Sequence, residues 1–434
     1  MFKAVAGYYK DNERLRLLVK IIAVWLISRA VMLLMVPVMN LIADEPHQWL
    51  YYMNPWDAEW YKGIVENGYQ PPKSSGMASW AFFPLYPLVC MAVRLVTMGS
   101  IDTYAVGMTV SNICIIIAVY YAVKYADIEL DMKKYNKKTV EDIIIFLMLA
   151  GPFAVYYGAM YTEALFILCV ILCFYNSARH NYMAAGIAAA MASATRIVGC
   201  MLVFVLITYM FMETCAECRA KHNSEMKDNN KEAGIIDKCM LTEEAGILIA
   251  GNISLASVIR TFIKNVIKEP KKLVAIMISP LGIFIYMNYL RYFCGDSWAF
   301  YHVQRAWRTQ KMFPVIGVLF KSCTGQLSAA SGVKTLNGII LGWLCVITLM
   351  LYAAMIRKKH YALGIFGIIV LLIPLTSSVM STLRFIMGSF VIYIGVAEII
   401  AGCNRYVRYG IITLLSIVEI VVISAWYFWD GLLM

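Results

Sequence analysis

Residues 54–69 read NPWDAEWYKGIVENGY. They set one carboxylate, Asp57, between the indoles of Trp56 and Trp60, with Tyr61 beside them and Glu59 and Glu66 nearby. The stretch follows the first long apolar segment of the chain. It is too polar to cross lipid and too aromatic for an ordinary linker. Tryptophan and tyrosine favour the level of lipid headgroups, where one end of the ring is wet and the other apolar. An aspartate held there is suited to taking the proton of a sugar hydroxyl, a poor nucleophile until a carboxylate within hydrogen-bond reach accepts that proton.

The surrounding chain is built for lipid. Hydrophobic residues make up 61% of the 434 and charged residues only 15%, a balance that implies many membrane spans rather than one soluble core. The net charge of +11 raises nucleic acid as a partner. The Lys and Arg, however, sit mostly in short loops between apolar runs, and neither a Gly-rich phosphate loop nor a basic stripe with interleaved aromatics is present, so no nucleic acid is expected. The apolar run from Leu17 to Ile42 is too long for the core of a cleavable signal. Most of the 12 cysteines lie inside apolar runs, where Cys acts as a small hydrophobe. Cys215, Cys218, His222 and Cys239 share a polar loop but lack the second half of a paired-ligand pattern, so no metal is expected there. Cys294 and Cys323 can bridge only if they meet on an oxidising face.

Topology follows from charge. Residues 1–16 carry Lys3, Lys10, Arg14 and Arg16 and are placed in the cytoplasm, so span one (17–42) delivers residues 44–79 to the outer face. The next apolar stretch, Trp80–Val96, contains Pro84, Pro87 and Arg94. If it crossed, the clusters Lys133/Lys134/Lys137/Lys138, Arg357–Lys359 and Arg405/Arg408 would all lie outside; if it does not, all lie inside. It is therefore expected to be an interfacial or re-entrant helix. Ten more spans follow, near 104–125, 142–157, 164–175, 183–195, 197–212, 273–293, 336–356, 361–376, 385–402 and 409–429. The fifth span is rich in Ala and Gly, which let helices approach closely, and is expected to be buried. The expected fold is an all-α polytopic membrane protein of about eleven transmembrane helices. It divides into an N-terminal module (1–212, with the outer loop 43–103), a polar cytoplasmic insertion (213–271) and a C-terminal module (272–434). Within the insertion, residues 252–268 show apolar residues at helical spacing beside Arg260, Lys264 and Lys268, as in a helix lying on the inner membrane surface.

This topology gathers polar groups on one face: Asp57, then Glu163 in MYTEAL, Arg196 in ATRIVG, Gln304 and Arg305 in the second large loop, and Arg384 in the turn before span ten. Each has a bland reading. Arg196 can cap a helix C-terminus and Glu163 can sit at a helix N-terminus through the dipole. Ionisable groups at membrane depth are nonetheless functional candidates by default. Together, acids and arginines suit a site that handles a hydroxyl and a phosphate. Phosphate is a good leaving group that needs positive charge for its departing oxygens, and an arginine fork supplies two parallel hydrogen bonds. Glu163 is assigned to orienting the acceptor, or to holding a divalent cation with Asp57 through oxygen ligands. No His pair at metal spacing supports the cation.

WDAEWY with Gly68–Tyr69, FFPLYPL (Phe82–Leu88), MYTEALF (Met160–Phe166), ATRIVG (Ala194–Gly199), GDSWAFYHVQRAW (Gly295–Trp307) and PLTSSVMSTLRF, which ends at Phe385, occur in the order seen in PIG-V-type mannosyltransferases. These are the GPI mannosyltransferase 2 family and its bacterial relatives. The resemblance implies a GT-C-like bundle and a polyprenyl-phosphate-linked sugar donor, typically mannose. It also implies inverting transfer on the extracytoplasmic face and places the family's acidic loop motif on Asp57. The expected assignment makes Asp57 and Glu163 catalytic, and Arg384 and Arg305, with Arg196 behind them, the binders of donor phosphate. Trp56, Trp60, Tyr61 and Tyr161 are expected to line the sugar and lipid entrance, with Gln304 and His302 also contacting substrate. The polar insertion departs from the eukaryotic enzyme, so a bacterial plasma-membrane relative acting on another glycan, lipid or protein acceptor is expected. Two rivals are a flippase for a lipid-linked glycan and a non-catalytic subunit keeping the fold. The flippase predicts midplane charges and inverted repeats, whereas the charges here gather at one face.

Overall fold

The computed structural model describes residues 12–43, 48–73, 76–229, 254–306, 314–326, 335–376 and 378–428. Among them the regular structure is helical, without strands. The helices are α1 (Glu13–Ile42), α2 (Trp49–Met53), α3 (Asp57–Asn67), α4 (Leu85–Val96), α5 (Thr103–Glu129), α6 (Lys137–Leu149), α7 (Glu163–Ala178), α8 (Tyr182–Ser193) and α9 (Leu202–Asn229). After the insertion come α10 (Leu255–Lys268), α11 (Pro270–Ile278), α12 (Leu281–Cys294), α13 (Ala299–His302), α14 (Val315–Cys323), α15 (Thr335–Arg357), α16 (Tyr361–Leu375), α17 (Thr382–Gly388), α18 (Val391–Gly402) and α19 (Arg405–Tyr427). Several starts are set by side chains that satisfy the orphan first-turn amides. Asn12 accepts from Leu15 N, Asp102 from Tyr104 N, Asn136 from Thr139 N and Asn404 from Val407 N.

Among the described residues, five helices are long and apolar enough to span a bilayer: α1, α5, the continuous Ile197–Ser224 stretch, α15 and α19. The bent pairs α11/α12 and α17/α18 raise the number to seven. Reaching the expected eleven requires counting α6, α7, α8 and α16, which have 13, 16, 12 and 15 residues. A hydrocarbon core needs about 20. Span three, expected over 142–157, stops as α-helix at Leu149, because Gly151 and Pro152 interrupt it, and resumes as a 3-10 turn, Ala154–Tyr157. The expected module boundary at 212 is no break in the chain: α9 runs through it to Asn229. The polar change there marks where the helix leaves the apolar layer, not where it ends. Residues 230–253 of the insertion, with Cys239, lie outside the described residues. Cys294 and Cys323 are free thiols, the former donating to Leu290 O at 3.1 Å.

Helix α4 does not traverse the bundle. Near its start Tyr86 donates to Gly107 O at 2.9 Å, and near its end Arg94 bonds Thr103 at 2.8 Å and pairs with Glu66 at 3.5 Å. Both ends therefore stay beside the N-terminal part of α5. The Ala/Gly-rich α8 is packed closely, as its composition implied. A Cβ on Gly186 would lie 2.8 Å from Ala275 O, and one on Gly282 would lie 2.3 Å from Ala190 O and 2.5 Å from Ala194 N. Backbone cannot move aside as a flexible side chain can. Gly282→Ala is expected to force α12 off α8 and destabilise by about 1–3 kcal/mol, read as a lower unfolding midpoint in detergent.

At the end of the bundle opposite Asp57, His360 Nδ1 meets Glu129 Oε1 at 2.8 Å, and Lys358 pairs with Glu398 at 3.0 Å. Burial works against a charged imidazole, but the Glu129 bond and nearby Glu398 outweigh it and hold His360 above the ordinary histidine range. A raised folded value means that the contribution is complete below the unfolded value of about 6.5 and fades as pH rises through the folded one. The difference in unfolding midpoint between the wild type and His360→Gln is therefore expected to shrink from mildly acidic to alkaline pH. A difference independent of pH would count against this pairing.

Candidate active site

Asp57, Glu163, Arg196 and Arg384 come from four separate places in the chain and form one hydrogen-bonded cluster. Arg384 lies between the two acids: its Nη1 donates to Asp57 Oδ2 and its Nε to Glu163 Oε1. Arg196 Nη1 donates to the same Glu163 oxygen at 2.8 Å. Glu163 is 0% exposed, whereas 27% of the Asp57 side chain is open. Of the two carboxylates, only Asp57 can meet a substrate.

Local backbone places these groups. Asp57 and Glu163 open α3 and α7, where the helix dipole stabilises a carboxylate. Trp56, immediately before Asp57, has φ +47, and Ser381, just before α17, has φ +64. Non-glycine residues in such conformations cost about 1–3 kcal/mol and persist only where the surroundings fix them. Both strained residues stand next to elements that deliver a member of the cluster.

The cluster is braced from beneath. Asn54 Oδ1 accepts from Met160 N at 2.7 Å and its Nδ2 donates to Leu50 O at 2.8 Å, while Tyr161 Oη donates to Pro55 O at 2.8 Å. These bonds join the loop before Asp57 to the turn before Glu163. The Arg384 guanidinium lies over the Tyr161 ring at 4.9 Å, and that of Arg196 over Phe385 at 5.0 Å. Tyr61 and Tyr161 are thus corrected from entrance lining to support. Both are buried, Tyr61 donating to Thr162 Oγ1 at 3.4 Å, and burial holds the Tyr61 phenol well above its ordinary range. Trp56 and Trp60 are partly exposed. Trp60 stacks on Phe82 at 5.6 Å, with the Lys73 ammonium 4.7 Å from its ring.

The second loop contributes differently from the expectation. His302 and Arg305 are exposed and Gln304 half-exposed on the short turns Ala299–His302 and Val303–Ala306. His302 Nδ1 contacts Asp296 Oδ2 at 2.6 Å, which holds the Asp296 carboxyl below its usual range. Among the described residues no hydrogen bond or ion pair joins Arg305, Gln304 or His302 to the Asp57 cluster. Trp307 lies outside the described residues. Glu163 is corrected too: fully buried with one oxygen shared by two guanidinium groups, it holds arginines and does not touch an acceptor. A guanidinium also lies between Asp57 and Glu163, where the sequence reading put a divalent cation.

Three contributors were missed. Asn54 stands in the same motif as Asp57, and its position before a helix start is a usable signal. Arg29 sits inside span one. It donates from Nε to Asn112 Oδ1 at 2.7 Å and from Nη1 to Ala154 O at 3.3 Å, pinning the turn that leads to Glu163. A charge within an apolar run is itself a signal. The third, Trp426 on α19, is fully buried and packs edge-on against Trp56 at 5.4 Å and Tyr156 at 4.7 Å, and against Tyr161 at 5.5 Å. Trp426→Ala removes the wall behind both the Asp57 and the Arg384 supports. Turnover is expected to fall by about 10- to 100-fold, the scale set by sub-ångström to ångström misplacement, with Trp426→Phe recovering most of it. Steady-state rates at matched unfolding midpoints check this.

The chain is thus an all-helical bundle with membrane-length apolar helices and an acid–guanidinium cluster at one end. The chain matches the family model described as Mannosyltransferase (PIG-V) over residues 12–232, and it belongs to that family. Asp57, Glu163 and Arg196 fall inside the matched stretch, Arg384 and Trp426 beyond it. No curated protein sequence matches significantly. Among solved structures, the chain is similar to the Archaeoglobus fulgidus oligosaccharyltransferase tethered to an acceptor peptide (12% identity, TM-score 0.46, 97% of this chain and 56% of that one). It is similar also to the archaeal oligosaccharyltransferase AglB from the same organism in complex with an inhibitory peptide and a dolichol-phosphate (11% identity, TM-score 0.46, 98% and 56%). The chain spans just over half the length of these proteins.

Proposed function

We propose that this chain is a GT-C-type glycosyltransferase that moves mannose from a polyprenyl-phosphate donor to an acceptor hydroxyl, with inversion, on the extracytoplasmic face. The acceptor oxygen attacks the anomeric carbon, the bond from that carbon to the phosphate oxygen breaks, polyprenyl phosphate leaves, and the acceptor proton passes to Asp57. The observation that carries this reading is the pairing of one accessible carboxylate with a guanidinium anchored from behind by a buried one. The bond from Arg384 fixes the aim of Asp57. Donors of Arg384 not engaged by the two acids, with Arg196 behind, supply positive charge for the departing phosphate. The face is supported by the Lys/Arg clusters at 133–138, 357–359 and 405–408, which lie at the other end of the bundle. A plasma-membrane relative of bacterial type, with a glycan, lipid or protein acceptor, fits the departures from the eukaryotic enzyme.

The test is incubation of the purified full chain with radiolabelled polyprenyl-phosphate mannose and a panel of glycan, lipid and peptide acceptors. Transfer with anomeric inversion, read by NMR of the product, is the expected result. Transfer from a nucleotide-linked mannose in preference to the lipid-linked one would overturn the donor assignment.

A further inference from the structure

Helix α10 has three distinct faces. Val258 and Val266 are buried, and Phe262 packs on Phe211 of α9 at 5.7 Å, so one face is fastened to the protein. Leu255, Ile259, Ile263 and Ile267, each four residues from the next, form a second face and are exposed. Arg260, Lys264 and Lys268, also at four-residue steps, form an exposed third face beside it, and none of the three makes an ion pair among the described residues. Four-residue steps keep side chains on one side of a helix.

The contacts also fix where α10 lies. Its middle meets α9 at Phe211, and Asn265 donates to Glu217 at 2.8 Å. Just past its end, Lys272 of α11 pairs with Glu213 of α9 at 3.1 Å and with Glu269 at 2.8 Å. Middle and end are thus tied to one short stretch of α9, residues 211–217. Helix α10 therefore crosses the end of the apolar part of α9 instead of running along it. Immediately after Pro270 the chain enters α11 and α12, whose Leu273, Val274, Met277 and Leu281 are exposed apolar residues of a candidate span. The exposed apolar face of α10 thus leads directly into a lipid-facing surface.

We infer that α10 lies at the membrane boundary, with Leu255, Ile259, Ile263 and Ile267 dipping among the acyl chains and Arg260, Lys264 and Lys268 binding the phosphates of anionic phospholipids in that leaflet. Charge complementarity selects the occupant, since a basic stripe flanking an apolar one discriminates anionic from zwitterionic headgroups. This surface is separate from the Asp57 cluster and does not depend on the proposed donor or acceptor.

The experiment places a photo-crosslinking amino acid at Ile263 of the full-length chain, reconstituted in phosphatidylcholine vesicles with or without phosphatidylglycerol. Mass spectrometry then identifies the adducts. Lipid adducts are expected, with phosphatidylglycerol enriched several-fold over its share of the bilayer. The combined substitution Arg260→Gln, Lys264→Gln and Lys268→Gln should bring that ratio back to the bulk value without changing the unfolding midpoint. Free inorganic phosphate should not compete. Adducts only to other peptides of the chain, or none, would overturn the membrane placement. Enrichment that survives the triple substitution, or that inorganic phosphate abolishes, would overturn the role of the basic stripe.

Discussion

Asp57→Asn is expected to yield a folded protein that binds donor lipid and transfers sugar about 10²- to 10⁴-fold more slowly, the range for loss of a positioned general base. Asparagine has the shape of aspartate, and its amide oxygen still accepts from Arg384, so the bridge to Glu163 and the packing under it should survive. The property removed is the ability to take up a proton. Glu59, two residues on, is the control. It is an exposed carboxylate in the same helix turn, hydrogen-bonded by Tyr104, outside the Asp57–Arg384–Glu163 chain. Glu59→Gln should stay close to wild-type turnover. Initial rates at saturating donor, with donor binding and unfolding midpoints measured in parallel, separate proton transfer from folding. Near wild-type turnover of Asp57→Asn would remove this residue from the proton-accepting role.

What the sequence revealed depended on the kind of signal each residue carries. Asp57 was legible because a carboxylate between two indoles is unusual in either lipid or water, so its chemistry showed without knowledge of partners. Glu163, Arg196 and Arg384 were legible as ionisable groups at the ends of apolar runs, but their roles were not. Whether a carboxylate faces a substrate or an arginine depends on which helix ends meet, and that is set by contacts spanning up to 327 residues of chain. Arg305 illustrates the converse. It has the right residue type in the right loop, yet it sits on an exposed turn without a bond to the cluster. The aromatic residues divided in the same way. A tyrosine near the membrane surface can line an opening or fill the space beneath one, and only packing distinguishes Trp60, partly open, from Tyr161, buried under Arg384. Trp426 was missed because a tryptophan near the end of a last span normally marks the interface. Here the 3-10 turn at Ala154–Tyr157 brings Tyr156 under α19 and covers it. The span count rested on apolar runs, which give crossings but not helix length. Gly151 and Pro152 shorten α6 in a way that hydropathy does not register.

Arg384→Gln should produce the second large effect, because it removes the cation between the two acids and leaves Arg196, bonded to Glu163, as the cluster's remaining guanidinium. Breaking a buried ion pair from one side costs about 3–5 kcal/mol, so a marked fall in unfolding midpoint is expected together with a loss of transfer. Arg384→Lys keeps the charge, but a single ammonium lacks the planar fork that reaches Asp57 and Glu163 at once, and it should recover stability better than rate. Stability loss alone could account for a dead enzyme, so the decisive variant is Arg384→Gln combined with Glu163→Gln. Neutralising the buried acid removes the uncompensated charge. The double variant should regain much of the midpoint lost in Arg384→Gln, a non-additivity expected for residues in direct contact. If Arg384 also stabilises the departing phosphate, transfer should stay as low in the double variant as in the single one, since no guanidinium then faces the leaving group from that side. Recovery of transfer in step with recovery of stability would instead make Arg384 a structural clamp on Asp57 and leave Arg196 as the candidate for the phosphate.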